Sequence, residues 1–518
     1  MEGETGLVPV HPEGEGGKRA AAVVASEEER VSVVDTLGRR MRVEWDPSAS
    51  VTPMGQLVYF AQFLASAGLF SEWVRDCPLE YSSPNAPAKQ DVLGTIVLAL
   101  LAGQHRYAHI TALRCDKVNP AGFGMSRICS EDSVRLAFKR LDPEACARWQ
   151  QQALARVWEP LLKHPWILDM DMTVKPIYGH QEGAEIGYNP HKPGRPSHAL
   201  HTWFVRRLRL ALDVEVLPGK QHAAKHGQSR LWALWDRLPP PCRPWLACGD
   251  AGYGSEAVMG ECEKRGQNYL FRQRQTRRTQ QLIHRLIGNG TTRWTRSRRG
   301  WEGAEGELSL QGWSRKRRVV VLRRPKERTR LPELGTPDSA ALPWTETLEN
   351  APEYECLVLV TNLKTEISGL ADLYLQRADA ENAYDELKNQ WGWGGFMTRD
   401  LHRCQVMARH VALVYNWWSL FVRCAEPNRP REAITSRPLL LCGIGRLIES
   451  GHQLKVQITS LHESARDVQR LLTNLSLFLS GLSNSAEQLS FQQRWQRIWN
   501  RILEPILRPQ AALPGPSG

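Results

Sequence analysis

Acidic residues occur within or directly after two predicted strands, and carboxylates at such positions could bind metal ions. Asp169 and Asp171 lie two residues apart in Ile-Leu-Asp-Met-Asp-Met-Thr-Val, so on a strand both carboxylates project from one face. A second apolar run ends just before Asp250, in a turn that contains Gly252 and Gly254. A buried ionised carboxylate needs a cation or an arginine. Solvated aspartates at a strand end, or turn chemistry at Asp250, remain open alternatives.

A third group of chemically active residues follows Glu366. Tyr374, Arg377, Glu381 and Lys388 fall within roughly 60° of one another if the segment is one long helix. These four residues would then form one stripe along the helix. Its carboxylate would bind a cation, and the basic residues would bind the phosphates on either side. An ordinary surface helix with an Arg377–Glu381 ion pair is the alternative, and the order of the pattern disfavours it.

The elements that must position these residues suggest an α/β fold. Residues from Met54 to about Leu161 have helix periodicity, which fits a helix-turn-helix DNA reader and a helical packing module equally well. Short β-rich runs then alternate with helices, which predicts a mixed sheet. We predict these regions: 1–28, a disordered leader; 29–160, a mainly helical and DNA-binding domain; 161–272, the first part of the α/β core; 273–354, a β-rich basic insertion; 355–425, the second part of the core; 426–518, a helical region with a disordered tail.

The net charge of +12 and the pI of about 9.2 favour a polyanionic partner without identifying one. Residues 263–328 hold roughly 19 Lys and Arg against about 5 Asp and Glu, so the positive charge is concentrated in the basic insertion. We expect this insertion to follow phosphates through Arg298, Arg299, Arg315 and Arg317. The 11 scattered cysteines indicate reduced thiols, and no run predicts a signal peptide or a membrane span, so we expect a cytoplasmic protein.

Asp171-Met-Thr173, Asp250 and the Tyr374, Arg377, Glu381, Lys388 set resemble the DDE transposases of bacterial insertion sequences that carry the Tyr-Arg-Glu-Lys signature. The segment from Gly187 to Ser197 looks like one branch of that group, and the resemblance runs from about residue 168 to 420. It implies a ribonuclease-H-like mixed-sheet core, interrupted by the β-rich basic insertion and flanked by helical N- and C-terminal regions. It also implies that Asp171, Asp250 and Glu381 are the catalytic ligands of two divalent cations, Mg²⁺ or Mn²⁺. Asp169 is then a neighbour of the site.

The resemblance further implies cleavage at transposon ends and 3′-hydroxyl strand transfer into target DNA, by a bacterial, nucleoid-associated enzyme. We expect double-stranded DNA, both terminal inverted repeats and target, to contact two groups of residues: Tyr374, Arg377 and Lys388 beside the site, and Lys192 and Arg195 in a loop stiffened by Pro and Gly. Synapsis of two ends suggests a homodimer on DNA, with the C-terminal helices as its interface. A nuclease without strand transfer and a domesticated DNA-binding regulator are the alternatives. Trp391 and Trp393 are expected to pack in the core rather than stack on bases.

Overall fold

The chain is described by a computed structural model that covers residues 31–507 apart from six gaps. These gaps are 190–191, 222–225, 298–299, 326–353, 430 and 460–462, and side chains are also left undescribed at 31 and 378–381. The predicted leader and tail therefore lie outside the described residues. The chain divides into two units, with the boundary after Ser50, and each unit is described by itself.

The first unit contains a β-hairpin of strands β1 (Val31–Asp35) and β2 (Arg40–Glu44). Thr36 closes its turn by donating a hydrogen bond from Oγ1 to the carbonyl oxygen of Arg39, over 2.6 Å. The prediction that residues 29–160 are mainly helical is wrong for this segment. Valines and a methionine alternate with polar residues around Gly38 here, which is strand rather than helix periodicity.

The second unit begins with a short strand, β3 (Val51–Thr52), and a series of helices. Side chains cap two of these helices: Ser130 accepts a hydrogen bond from the backbone N–H of Ser133, and Asp142 accepts one from that of Ala145. The helices are α1 (Leu57–Ser66), α2 (Leu69–Arg75), α3 (Lys89–Leu101), α4 (Ile110–Leu113), α5 (Asn119–Gly122), α6 (Glu131–Arg140) and α7 (Pro143–Trp158), with 3₁₀ turns at Tyr107–His109 and Glu159–Lys163.

A mixed sheet follows the helices. Its first strands lie in the order β7, β6, β4, β8, β9, and β5 pairs with the start of β6. The β4–β8 and β8–β9 pairs are parallel, whereas β6 is antiparallel to β4 and to β7. Helices α8 and α9 precede and follow β8, which gives the crossovers that parallel strands require. The elements are β4 (Ile167–Pro176), β5 (Glu185–Ile186), β6 (Pro196–Val205), β7 (Leu210–Pro218), α8 (Gln228–Arg237), a 3₁₀ turn (Pro240–Cys242), β8 (Leu246–Gly249), α9 (Glu256–Lys264) and β9 (Asn268–Arg272).

The basic insertion extends this same sheet. Its strands continue from β9 in the antiparallel order β13, β12, β11, β10. The elements are α10 (Arg277–Gly288), β10 (Thr295–Arg296), β11 (Glu302–Leu308), β12 (Arg317–Pro325) and β13 (Tyr354–Thr361). The described part of the insertion is therefore β-rich, and it shares backbone hydrogen bonds with the core.

Two helices, α11 (Ile367–Leu375) and α12 (Ala378–Asn389), replace the single long helix that the sequence predicted after Glu366. The break falls at Gln376 and Arg377, and both Tyr374 and Arg377 are buried there. The four stripe residues therefore do not form one exposed face. The next helix, α13 (Leu401–Ala425), is buried over most of its length and packs against α7 and β7.

The end of the described chain is only partly helical. It contains α14 (Ala433–Leu440), β14 (Gly445–Ser450), β15 (Gln453–Ile458), α15 (Ala465–Ser483) and α16 (Phe491–Leu507). The prediction that 426–518 is a helical region with a disordered tail is wrong for the hairpin β14–β15, which pairs with β3. Gly451 adopts a φ of +60° between its strands, and such a turn favours glycine. Within the described residues no single helix is long and apolar enough to cross a membrane; the bent pair α1 and α2 passes that test by length and composition only.

One close backbone contact fixes the turn after α12 against the N-terminal helices. The backbone N–H of Phe396 donates to the carbonyl oxygen of His105 over 2.8 Å, and a Cβ at Gly395 would lie 1.9 Å from that oxygen. The Nζ atom of Lys175, on β4, also donates to the carbonyl oxygen of Gly395, over 2.7 Å. Only glycine fits this junction without moving backbone.

We predict that Gly395→Ala lowers the free energy of unfolding by about 1–3 kcal/mol, because the added methyl group forces the two segments apart. Gly260→Ala is the matched control: it lies inside α9, where the nearest atom to an added Cβ is 3.7 Å away. This control is expected to be neutral or stabilising by up to about 1 kcal/mol. Thermal unfolding followed by circular dichroism measures both, and equal melting temperatures would contradict the close-contact argument.

Candidate active site

Strand register brings Asp171 and Asp250 to the same edge of the sheet. β4 and β8 are parallel, and their last paired residues are Met170 and Gly249. Asp171 and Asp250 each follow directly, so they lie side by side on strands that are about 4.8 Å apart. Asp171 remains 22% exposed, and Asp250 is half-buried. Two carboxylates thus meet at the carboxyl ends of neighbouring parallel strands, where sites of open α/β sheets form.

The turn after β8 holds Asp250 in place. The Oδ1 atom of Asp250 accepts a hydrogen bond from the backbone N–H of Gly252 over 2.9 Å, and its carbonyl oxygen accepts one from Tyr253. The Tyr253 side chain then packs against Gly249, where a Cβ would lie only 2.9 Å from the side chain. The Tyr253 hydroxyl donates to the carbonyl oxygen of Asp171 over 3.5 Å. Burial, then the charges of Asp250 and Asp171, raise the pKa of Tyr253 well above its usual value.

Asp169, two residues before Asp171, is completely buried and paired with an arginine. Nε and Nη2 of Arg206 donate to its two carboxylate oxygens over 2.7 and 2.5 Å, and the Arg206 side chain is only 1% exposed. The remaining Nη1 donates to the carbonyl oxygen of Leu373 on α11. This bidentate pair neutralises Asp169 and ties the sheet to α11, so Asp169 is a structural neighbour of the site.

Arg377 lies at the break between α11 and α12 and approaches the site from the interior. Its Nη2 donates to the carbonyl oxygen of Met170 over 3.0 Å and lies 3.5 Å from Oδ1 of Asp171. Burial lowers the pKa of Arg377, but the neighbouring acidic groups, with Asp171 first among them, together outweigh this effect and raise the pKa overall. Arg377 therefore compensates the charge of Asp171.

Two further tyrosines surround the carboxylates. Tyr374 is buried beside Arg377; burial raises its pKa, and the charge of Arg377 opposes that rise. Tyr384, on α12, packs its ring edge-on against Phe204 at 5.0 Å between centroids. Burial, followed by the charge of Asp171, raises the pKa of Tyr384 well above its usual value. All three tyrosines near the site are therefore neutral at physiological pH.

The third predicted carboxylate, Glu381, lies on α12, and its side chain is outside the described ones. Position 381 lies in α12, three residues before Tyr384. Among the described side chains no group of three or more His, Cys, Asp or Glu residues could hold a metal ion. The donor chemistry of Asp171 and Asp250 nevertheless fits a hard divalent cation, because carboxylate oxygens are its preferred ligands. Unpaired hydroxyls beside Asp171, on Thr202 and Tyr384, also fit a site that a ligand completes.

The predicted loop residues Lys192 and Arg195 are exposed and gather around one aromatic ring. The Lys192 ammonium and the Arg195 guanidinium lie 5.0 and 4.9 Å from the ring centroid of Tyr178, and Lys192 also donates to the Tyr178 hydroxyl. Tyr178 itself is largely exposed. Two cations with a planar ring on the surface suit a nucleic-acid backbone and its bases.

The prediction that Arg317 contacts DNA is wrong. Its side chain is buried on β12 and binds Glu256 and Glu263 of α9, with guanidinium–carboxylate distances of 2.5 and 2.8 Å. Arg315 remains exposed, although it pairs with Glu263 over 3.0 Å. Arg298 and Arg299 lie outside the described residues.

The prediction that Tyr374, Arg377 and Lys388 contact DNA from an exposed helix face is also wrong for the first two. Tyr374 and Arg377 are interior residues, and Lys388 is half-buried. Trp391 and Trp393 are buried, as predicted, and donate hydrogen bonds to Glu386 and to the carbonyl oxygen of Ala408.

Sequence reasoning missed Arg206, Tyr253, Tyr384 and Thr202. A weak signal existed for Tyr253, which follows Asp250 in a glycine-rich turn, and for Tyr384, which is one turn after Glu381. Arg206 and Thr202 are brought to the site by pairing of β6 with β4, and local sequence contains no signal for that pairing.

Two aspartates side by side at the ends of adjacent parallel strands of a mixed sheet fit a metal-dependent enzyme that acts on phosphodiesters. Residues 81–479 match the family described as Transposase DDE domain group 1, so the chain belongs to the DDE transposases. No curated protein matches the chain. Among solved structures, the piggyBac transposase synaptic complex with hairpin DNA aligns over 90% of this chain and 87% of that one, at 11% identity and a TM-score of 0.37. The family assignment rests on the first of these findings alone.

We predict that Arg206→Met lowers the free energy of unfolding by about 3–5 kcal/mol, because it leaves the Asp169 carboxylate buried without a partner. Guanidinium denaturation followed by circular dichroism measures the change. The double variant Asp169→Leu, Arg206→Met is expected to recover most of the loss, because it removes both buried charges. A double variant no more stable than the single one would show that the pair is not the cause. Arg470→Ala, which removes an exposed ion pair with Asp467, is the control and should change stability by less than about 1 kcal/mol.

Proposed function

We propose that this transposase cuts DNA at the ends of its transposon and joins the freed 3′-hydroxyl to target DNA, with Asp171, Asp250 and Glu381 as metal ligands. The observation that carries the proposal is the β4–β8 register, which aligns Asp171 with Asp250. The helical position of Glu381 supports it, one turn before a tyrosine whose pKa responds to Asp171. The strand order β7-β6-β4-β8-β9, with the first three strands antiparallel, supports a ribonuclease-H-like core. We also propose membership of the bacterial insertion-sequence group with the Tyr-Arg-Glu-Lys signature.

The chemistry follows from the carboxylates and their neighbours. Two divalent cations, Mg²⁺ or Mn²⁺, would supply an activated water or hydroxyl and stabilise the leaving oxygen. Asp171, Asp250 and Glu381 would hold them. Arg377 places a positive charge 3.5 Å from Asp171 and, through its hydrogen bond to the Met170 carbonyl oxygen, holds β4 against the α11–α12 break. Because Tyr374 and Arg377 are buried, neither binds an outer phosphate in this proposal; Arg377 acts through Asp171, and Tyr374 packs beside Arg377.

We propose that DNA binds across Lys192 and Arg195, with Lys388 and the exposed Arg315 as further phosphate contacts. The cluster around Tyr178 supports the first pair, since both cations are presented on the surface. Arg298 and Arg299 stay in this proposal on sequence grounds. We also propose a cytoplasmic, nucleoid-associated enzyme that acts as a homodimer on two DNA ends; a monomeric mass for the complex with two end oligonucleotides would contradict the dimer.

Glu381→Gln tests the catalytic assignment, because it keeps the shape of the side chain and removes its charge. Labelled DNA that carries the gene's own flanking ends is incubated with Mg²⁺ and a target duplex, and products are separated on denaturing gels. The wild type is expected to cut and join, and the variant to bind DNA while losing at least about 100-fold in turnover. Asp385→Asn, an exposed position on α12, is the matched control and should retain full activity.

The outcomes separate the competing functions. Cutting without joining by the wild type would favour a nuclease of the same fold, and binding without cutting would favour a regulator. If Glu381→Gln and the wild type behave alike, the catalytic assignment of Glu381 fails.

A second prediction concerns the loop cluster. Lys192→Ala and Arg195→Ala are each expected to weaken binding of end DNA similarly for all sequences, because they remove phosphate contacts. Each should also reduce the slope of log affinity against log salt concentration by about 1. Fluorescence anisotropy at several salt concentrations measures the slope, with the exposed Arg470→Ala as control. An unchanged slope in both loop variants would remove this cluster from the DNA path.

A further inference from the structure

Two buried hydroxyls beside Asp171 have no hydrogen-bond partner within the described residues. They are Oγ1 of Thr202, which is completely buried, and the hydroxyl of Tyr384. Their polar neighbour on the same face, Asp169, is by contrast fully bonded by Arg206. Buried polar groups are usually paired, so an unpaired hydroxyl calls for an explanation, and the position of these two beside a proposed metal ligand offers one.

Thr202 faces Asp171 directly across the sheet. The two residues are paired in the antiparallel register of β6 and β4, so their side chains leave the sheet on the same face. The Cβ atoms of such a pair are about 4.5–5.5 Å apart. A threonine hydroxyl therefore reaches the region of the Asp171 carboxylate without any backbone movement.

Tyr384 approaches the same point from the helix above the sheet. Its ring packs on Phe204, which is paired with Asp169 and lies two residues from Thr202 on the same face. This contact fixes the ring over the row that contains Asp169 and Asp171. The influence of the Asp171 charge on the pKa of Tyr384 is consistent with that placement. A neutral, protonated phenol is a hydrogen-bond donor that suits a carboxylate.

We propose that Thr202 and Tyr384 are positioning residues that donate hydrogen bonds to the Asp171 carboxylate when it binds a divalent cation. This inference rests on the proposed function, because it takes Asp171 as a metal ligand. The two hydroxyls approach from different elements, β6 and α12, and so set the orientation of the carboxylate. Partners of this kind typically change metal affinity by about 10–100-fold when they are removed.

The test measures Mn²⁺ affinity of the purified full chain from the electron paramagnetic resonance signal of free Mn²⁺, without DNA. Tyr384→Phe and Thr202→Val each remove one hydroxyl and nearly preserve shape, and each is expected to weaken Mn²⁺ binding about 10-fold. Thr202→Ser retains a hydroxyl and is expected to restore affinity close to that of the wild type. Thermal unfolding of each variant shows that the fold is intact, and melting temperatures at or above that of the wild type are expected.

Tyr415→Phe is the matched control for Tyr384. Tyr415 is also buried with an unpaired hydroxyl, and its ring centroid lies 6.3 Å from that of Phe204. Burial, and after it the charge of Glu386 rather than that of Asp171, raises its pKa. Mn²⁺ affinity within twofold of the wild type is expected for this variant. A 10-fold loss in Tyr415→Phe as well would overturn the proposal, since general packing would then explain the effect.

The variant Asp171→Asn distinguishes failure of the metal-ligand assignment from failure of the positioning role of Thr202 and Tyr384. If it abolishes Mn²⁺ binding while Tyr384→Phe and Thr202→Val bind like the wild type, the positioning role is overturned and the proposed function stands. If Asp171→Asn binds Mn²⁺ like the wild type, the metal-ligand assignment fails and the positioning role fails with it. Loss of affinity in Asp171→Asn, Tyr384→Phe and Thr202→Val, with recovery in Thr202→Ser, supports both.

Discussion

A single buried guanidinium, that of Arg206, joins the elements on which the site depends. It closes a bidentate pair with Asp169 on β4 and also binds the carbonyl oxygen of Leu373 on α11. Four residues after Leu373, Arg377 binds the carbonyl oxygen of Met170 on β4. Two arginines therefore hold β4 against α11 and the α11–α12 break. A buried ion pair adds little net stability over an apolar pair, but its removal on one side is costly, so β4 and α11 are linked by a contact that neither partner can lose alone.

Several arginines of the basic insertion bind carboxylates of the protein itself rather than facing solvent. Arg317 binds Glu256 and Glu263, and Arg323 binds its cross-strand partner Glu302. Antiparallel pairing of β11 with β12 places acidic and basic side chains opposite one another, and such pairs neutralise charge locally. A count of Lys and Arg in a segment therefore overestimates the charge that it presents to a polyanion, because it ignores which carboxylates face it across the sheet.

Features set by neighbouring residues could be predicted from the sequence, whereas features set by contacts between distant segments could not. The strands around Asp171 and Asp250 follow from short apolar runs and turn residues, which are local signals, and the core packing of Trp391 and Trp393 was also expected. The break at Arg377 could not be predicted, since helix periodicity continues through it; the break arises where Arg377 turns inward to Asp171. The hairpin from Gly445 to Ile458 was predicted as helix, because its leucines and isoleucines fit both periods and pairing with β3 decided between them.

The same register argument distinguishes the two aspartates of β4, which sequence alone could not do without a resemblance. Asp169 and Asp171 share a face, yet Asp169 is completely buried and saturated by Arg206, whereas Asp171 is 22% exposed and lies 3.5 Å from Arg377. A cation has to arrive from water, and it cannot displace a bidentate, desolvated guanidinium without leaving that charge buried and unpaired. The longer contact of Arg377 presents no such barrier, because Arg377 keeps its hydrogen bond to the backbone of Met170. The physical difference between the two arginines therefore supports Asp171 as the ligand and assigns Asp169 to the scaffold.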